Sequence, residues 1–495
     1  MNKELFSKAT KQVLGSVLLV TQLMPSFAPT FARAAPGNQP NAKTPSVGDS
    51  TIIQDKKKAL FIVSLLNRGH DLPEAQRYAP VAQMAASDIF RLICLGKEEV
   101  FTSTFLHLSD LLLKKAADEH KTIVDIADEP AAKALLPDFI ETASAYGQIG
   151  KVLASVPDQA SRRAFLAKAI STVADSFEKQ AKEEQSMRMT VALVDTALTL
   201  QEKDVKKNFV DDIIAHYKQT KNETFRKSLG YGLSYLSDCA EMADMKKTII
   251  SAIGEDSYLI VKNEGLSEKE LFKDGMQYQQ MLFYNDKDGR ASYAHFRETF
   301  KDWKSEQKDG FVVLSRKVKD REIIIACNEP TVEDKGIANA SAYLKGKPVQ
   351  VIVHRGHSYH STKTMSVVKQ NGQTACLIFW GGCGGFYNVA GTISVLTQRE
   401  TPPGLILTKG EGTKYVNDRL WADLCDEMVQ KGSVKWNPFW KKLSGRVSDS
   451  RFKAYVSPEK NIAAAVISSI KNFVPIRTVR ANNLRAQAIM DLRAK

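Results

Sequence analysis

Two apolar runs in the second half of this chain each stop at a reactive side chain. The first reads Val351-Ile-Val-His-Arg-Gly-His-Ser and the second Cys376-Leu-Ile-Phe-Trp-Gly-Gly-Cys383-Gly-Gly. Both have the β-branched and aromatic character of buried strands. If they lie side by side in a parallel sheet, an imidazole and a thiol emerge at one edge. Such a pair is a nucleophile and its base. A thiol is mostly protonated near neutral pH, so a catalytic cysteine needs a base or a positive environment that favours thiolate. Gly381-Gly382 and Gly384-Gly385 flank Cys383, permit tight turns and leave room for a substrate carbonyl. Backbone N–H groups there can point at its oxygen.

The elements that must position these groups follow from pattern. Strand-like runs at 311–314 and 322–327 are joined through a polar turn. After them come a helix at 332–344, a strand at 349–353, a short helix or loop at 363–370 and a strand at 375–380. A helix at 386–396, a strand at 405–407 and a helix at 415–429 complete the series. Strand–helix alternation of this kind predicts a mostly parallel sheet with helices on both faces. Sites in such sheets form beyond the carboxyl ends of the strands, where His354, His357 and Cys383 fall. From 56 to about 280 the pattern is instead helical. Phe165, Leu166, Ile170, Val173 and Phe177 recur at helical spacing, and similar stripes run through 100–113, 189–200 and 209–217. All five tryptophans lie beyond Met281. A last helix is predicted over 458–473, with Ser457 as cap and Pro458 at its first position.

At these residues the sequence resembles the clan CD cysteine peptidases: caspases, legumain, gingipains, clostripain, separase and CHAT-type domains. Members carry an apolar strand ending in Gly-His-Gly or His-Gly, then a second apolar strand ending at the nucleophilic cysteine. The matching elements are 349–353 with Gly356-His357-Ser358, and 377–380 with Gly382-Cys383-Gly384. The short histidine-to-cysteine interval is most similar to the separase and CHAT branch. The resemblance covers roughly 310–430 and implies a caspase-like α/β fold. It further implies His357 as general base or acid, Cys383 as nucleophile, and the N–H groups of Ser358 and Cys383 as an oxyanion hole. The implied substrate is a protein or peptide, and no cofactor is required. Ser358 departs from the glycine usual after the histidine. His354, which directly ends the strand, is the alternative base, although the glycine before His357 matches the family pattern.

Other readings compete. His354, His357 and His360 could bind a metal with Cys383, but no CxxC or HExxH accompanies them, and no metal is expected. The same fold could serve as a non-catalytic binding or scaffold protein that engages a protein partner through its helical region. Asn285-Asp286-Lys287-Asp288-Gly289 resembles part of a calcium loop, yet Tyr284 and His295 stand where acidic ligands belong, so a polar turn is expected. Glu411 or Asp418 could favour a basic residue before the scissile bond. Asn417 or Asp418 could equally cap the helix that follows.

At 495 residues the chain exceeds one ordinary core. Its 43% hydrophobic and 25% charged residues suit a soluble protein. Residues 1–34 read as a signal peptide: Lys3, Lys8 and Lys11 precede a short apolar stretch, and Ala32-Arg33-Ala34 is a cleavage site. The expectation is export in a bacterium, to the periplasm or outside the cell, with no membrane span. The net charge of +13 is dispersed, and no basic–aromatic module supports nucleic-acid binding. Cys376 and Cys383 cannot bridge, because seven residues of strand separate them by about 20 Å. Cys94, Cys239, Cys327 and Cys425 are isolated in sequence. The expected organisation is a signal peptide at 1–34, a linker at 35–55, a helical domain at 56–280, a caspase-like α/β domain at 281–445, and a C-terminal helical extension with a basic tail at 446–495.

Overall fold

The computed structural model describes residues 56–471 apart from 70–71, 98, 181–182, 255–257, 259, 261 and 397–402. The predicted signal peptide and linker, and the basic tail, lie outside the described residues. The protein is a mixed α/β structure with a helical N-terminal region and a mostly parallel eight-stranded sheet. No helix among the described residues is long and apolar enough to cross a membrane.

The longer helices of the first region are α1 (Lys56–Arg68), α2 (Ala86–Gly96), α3 (Thr102–Asp118), α4 (Leu136–Ala145), α5 (Gln159–Gln180), α6 (Glu183–Thr199), α7 (Lys203–Gln219), α8 (Glu223–Ser237) and α9 (Lys246–Ile253). Their apolar stripes form one core, to which Phe165, Leu166, Ile170, Val173 and Phe177 of α5 all belong.

The strands of the large sheet are β1 (Met276–Phe283), β2 (Lys304–Lys308), β3 (Phe311–Val318), β4 (Arg321–Asn328), β5 (Val349–Arg355), β6 (Leu377–Trp380), β7 (Gly404–Thr408) and β8 (Tyr455–Val456). Their spatial order is β8-β7-β6-β5-β1-β4-β3-β2. The five central strands, β7 to β4 in that order, are parallel, while β8, β3 and β2 pair antiparallel. Taken in chain order, the parallel strands are arranged 2-1-3-4-5. The topological switch of this doubly wound order falls between β1 and β5. Every residue of β5, β6 and β7 is buried, as strands covered on both faces must be.

Helices α10 (Lys287–Thr299) and α14 (Lys414–Lys431) cover one face of the sheet, where α15 (Trp436–Ser444) joins their core. Helices α11 (Glu333–Leu344), α12 (Ser361–Asn371) and α13 (Val389–Val395) lie on the other face. The core on that side is continuous with the core of the helical region. Helix α16 (Ile462–Lys471) joins the two, touching α6, α8 and α13. The described residues accordingly fall in one compact unit.

Several expectations need correction. The central strand β1 lies partly inside the stretch expected to be helical, because Gln277, Gln279 and Gln280 interrupt its apolar pattern. These glutamines are buried and satisfied by one another and by neighbours. Gln279 Nε2 donates to Gln277 at 2.6 Å, Trp421 Nε1 donates to Gln279 at 3.2 Å, and Gln280 bonds Ser341 and Asn371, each at 2.8 Å. The polar turn at 285–289 is the start of α10, with the Asp286 carboxylate accepting from the Gly289 N–H at 2.7 Å. Helix α14 is capped by Thr413 rather than by Asn417 or Asp418. The last helix starts at Ile462, after a short turn at Pro458–Lys460, and Asn461 rather than Ser457 accepts the N–H of Ala464 at 3.0 Å.

Candidate functional site

His354 pairs in register with Trp380 across the parallel strands β5 and β6. His357 and Cys383 each lie three residues beyond that pair, so both leave the sheet at its carboxyl edge. Their loops touch. A Cβ on Gly382 would sit 2.4 Å from the Gly356 carbonyl oxygen, an approach only glycine permits. The structure therefore brings the His357 and Cys383 segments together at one rim, beside the topological switch. Both side chains are partly exposed, His357 by 27%.

The carbonyls of both loops are tied back, which aims the neighbouring N–H groups. In the cysteine loop, Asn417 Nδ2 donates to Gly381 O at 2.7 Å and Thr408 Oγ1 donates to Gly382 O at 2.6 Å. In a trans peptide the N–H is antiparallel to the carbonyl, so the Cys383 N–H faces away from Thr408. In the histidine loop, His357 O accepts from His354 Nε2 at 3.2 Å and from the His360 N–H at 3.0 Å. The Ser358 N–H consequently faces away from His354. Neither N–H meets a backbone carbonyl outside regular elements among the described residues.

His354 is fully engaged. Its Nε2 donates to Gly356 O at 2.9 Å, and its Nδ1 accepts from Thr364 Oγ1 at 2.7 Å. The Thr364 hydroxyl in turn bonds the Tyr284 hydroxyl. Burial, with His360 nearby, pushes the His354 imidazole down to about 3. With both ring nitrogens bonded, it clamps the His357 loop.

Carboxylates gather on His357 from the end of β1. Its Nε2 lies 3.2 Å from Asp288 and 3.9 Å from Asp286. Asp286 also holds His360 Nε2 at 2.8 Å, and the His360 ring stacks on Tyr284 at 4.1 Å. Burial would raise the Asp286 carboxyl, but bonds from His360 and the Gly289 N–H, with His357 beside it, hold it below the usual range. Sequence reasoning missed Asp286 and Asp288 as site residues because they belong to the distant β1 end. The available signal was their place after a strand at the switch point. Among the described residues no group of three or more His, Cys, Asp or Glu side chains is arranged to hold a metal ion.

The Cys383 thiol is pushed up to about 11, by burial first and then by Glu411 and Asp288, against an N–H bond from Gly412 and the more distant Arg451. Asp418 is fully buried in an ion pair with Arg355 and also bonds His295, so its carboxylate does not line an open pocket. Asn417 and Asp418, adjacent on α14, thus grip the cysteine loop and the histidine strand respectively. Tyr455 completes this grip by donating to Asn417 Oδ1 at 2.7 Å. All six cysteines are free thiols. No family model, no curated protein and no solved structure matches this chain.

Proposed function

We propose that the protein is an exported cysteine endopeptidase with a caspase-like α/β domain, acting through Cys383 and His357. What carries the reading is the register of β5 and β6, from which His357 and Cys383 depart at equal distance past the His354–Trp380 pair. With Asp286 and Asp288 on Nε2, the Nδ1 atom of His357 is the one that takes the thiol proton. The thiolate then attacks the substrate carbonyl. The N–H groups of Ser358 and Cys383 stabilise the oxyanion of the tetrahedral adduct. Collapse forms a thioester as the C–N bond breaks, and the imidazolium gives its proton to the departing amine. Water, deprotonated by His357, attacks the thioester, and release of the acid returns the thiol. Asp288, and Asp286 behind it, stabilise the imidazolium and fix the tautomer.

A thiol at about 11 needs this base, because on its own it would be almost wholly protonated near neutral pH. Export rests on Lys3, Lys8, Lys11 and Ala32-Arg33-Ala34. The second reading, a binding or scaffold protein, is favoured by the same raised thiol, since a non-catalytic fold needs no thiolate. Hydrolysis of a mixed peptide library separates the two. Cleavage by the parent that disappears in both Cys383→Ala and His357→Ala supports the enzyme. Cleavage that survives either change sinks it.

A further inference from the structure

The helical region reaches both loops of the candidate dyad. A Cβ on Gly384, which holds a left-handed backbone (φ 60°), would lie 2.6 Å from Thr102 Oγ1 and 3.2 Å from the Tyr146 ring. The first turn of α3 therefore rests on the residue that follows the thiol. Phe101, just before that turn, stacks on Tyr359 at 5.5 Å, and Tyr359 stacks on His357 at 5.1 Å. Tyr146 is fastened to the same segment by its hydroxyl, which donates to Val100 O at 2.8 Å.

An ion pair ties this wall to the loop beyond β7. Lys409 Nζ meets Asp195 of α6 at 2.5 Å, and the second Asp195 oxygen accepts from Ser144 Oγ at 2.8 Å. Both charged side chains are largely buried. Lys409 opens the loop whose Gly410 carbonyl accepts the Gly384 N–H at 3.0 Å and whose Gly412 packs on the cysteine loop, where a Cβ would lie 2.4 Å from Gly381 O. Asp195 is thus connected to the thiol through one short loop.

Building on the peptidase reading, we infer that the helical region is an inhibitory latch over Cys383, held shut by the Asp195–Lys409 ion pair. In the latched state the Lys409–Gly412 loop lies against the backbone on both sides of Cys383, while α3 rests on Gly384. Cys383 is only partly exposed between them, so a substrate strand gains full access to it when these two elements separate. A buried, hydrogen-bonded charge pair suits a latch, because losing one partner leaves an uncompensated charge that drives the interface apart.

The rate at which iodoacetamide alkylates Cys383 in the full chain, read peptide by peptide in a mass spectrometer, tests this. Asp195→Asn and Lys409→Met should each accelerate it at least tenfold, and the charge-swapped Asp195→Lys/Lys409→Asp double variant should restore slow alkylation. A second design guards against misfolding of the single variants. A Cβ on Gly147 would lie 3.5 Å from that of Lys409, within disulfide range, so Gly147→Cys/Lys409→Cys gives a reversible lock despite the left-handed backbone at 147. Its oxidised form should be alkylated at Cys383 at least tenfold more slowly than its reduced form. Rates within twofold of the parent for both single variants, or equal rates for the oxidised and reduced lock, overturn the latch. Fast alkylation of released variants that hydrolyse no peptide keeps the latch and sinks the peptidase reading instead.

Discussion

Replacing His354 by glutamine turns the clamp on the His357 loop into a group that cannot titrate. The imidazole is 1% exposed and held down to about 3, against an ordinary value of 6.5. Because the folded value is depressed, the unfolded chain takes up the proton first. Stability present at neutral pH is therefore lost as pH falls from about 6.5 towards 3. Each pH unit inside that window is worth about 1.4 kcal/mol, so the loss between pH 6.5 and 4 is roughly 3 kcal/mol from this one side chain. At pH 7 the glutamine variant should be less stable by about 1–2 kcal/mol, since an amide cannot reproduce all three bonds. On acidification the parent should lose its advantage and fall below the variant at about pH 5. Urea unfolding midpoints of both proteins at pH 7, 6, 5 and 4 decide the matter. Midpoints that move in parallel would mean His354 is not a buried neutral base, and the argument that it only clamps the loop would fail.

Asn417→Ala leaves the Gly381 carbonyl and the Tyr455 hydroxyl without their partner and should cost about 2–3 kcal/mol in thermal or denaturant unfolding. An unchanged midpoint would show that α14 does not hold the cysteine loop. Asp288→Asn should lower kcat about tenfold with KM little changed, a modest loss because Asp288 is 70% exposed. A change in KM alone would place this carboxylate in substrate binding instead. Gly382→Ala drives a methyl group into the Gly356 carbonyl, so destabilisation of about 1–3 kcal/mol should accompany loss of Cys383 reactivity. Parent-like stability and reactivity would contradict the close approach of the two loops.

The parallel α/β core was legible because β5, β6 and β7 are buried on both faces and so read as unbroken apolar runs. The strand β1 was hidden for a related reason. Its glutamines satisfy one another and Trp421 inside the sheet, so polarity there marks a buried network rather than an exposed face. The edge strand β2, Lys-Ser-Glu-Gln-Lys, is almost wholly exposed and carries no burial signal at all. His357 and Cys383 announced themselves by ending apolar strands. Asp286 and Asp288 did not, since their part in the site arises only when β1 inserts between β4 and β5. Asp418 illustrates the opposite error. A carboxylate suggested as a specificity group is instead buried against Arg355, whose Nε and Nη2 find no partner among the described residues. The contacts of the helical region with the site were invisible in sequence because Thr102, Tyr146 and Asp195 approach it only through tertiary packing.

The most direct test is the intact mass of the released Asp195→Asn protein after exposure to a peptidyl acyloxymethyl ketone, with the modified residue mapped by fragmentation. The peptidase account predicts one adduct per chain, on Cys383, abolished by His357→Ala while the fold persists. Equal labelling of several cysteines, or an adduct on Cys383 that forms just as fast without His357, would contradict it.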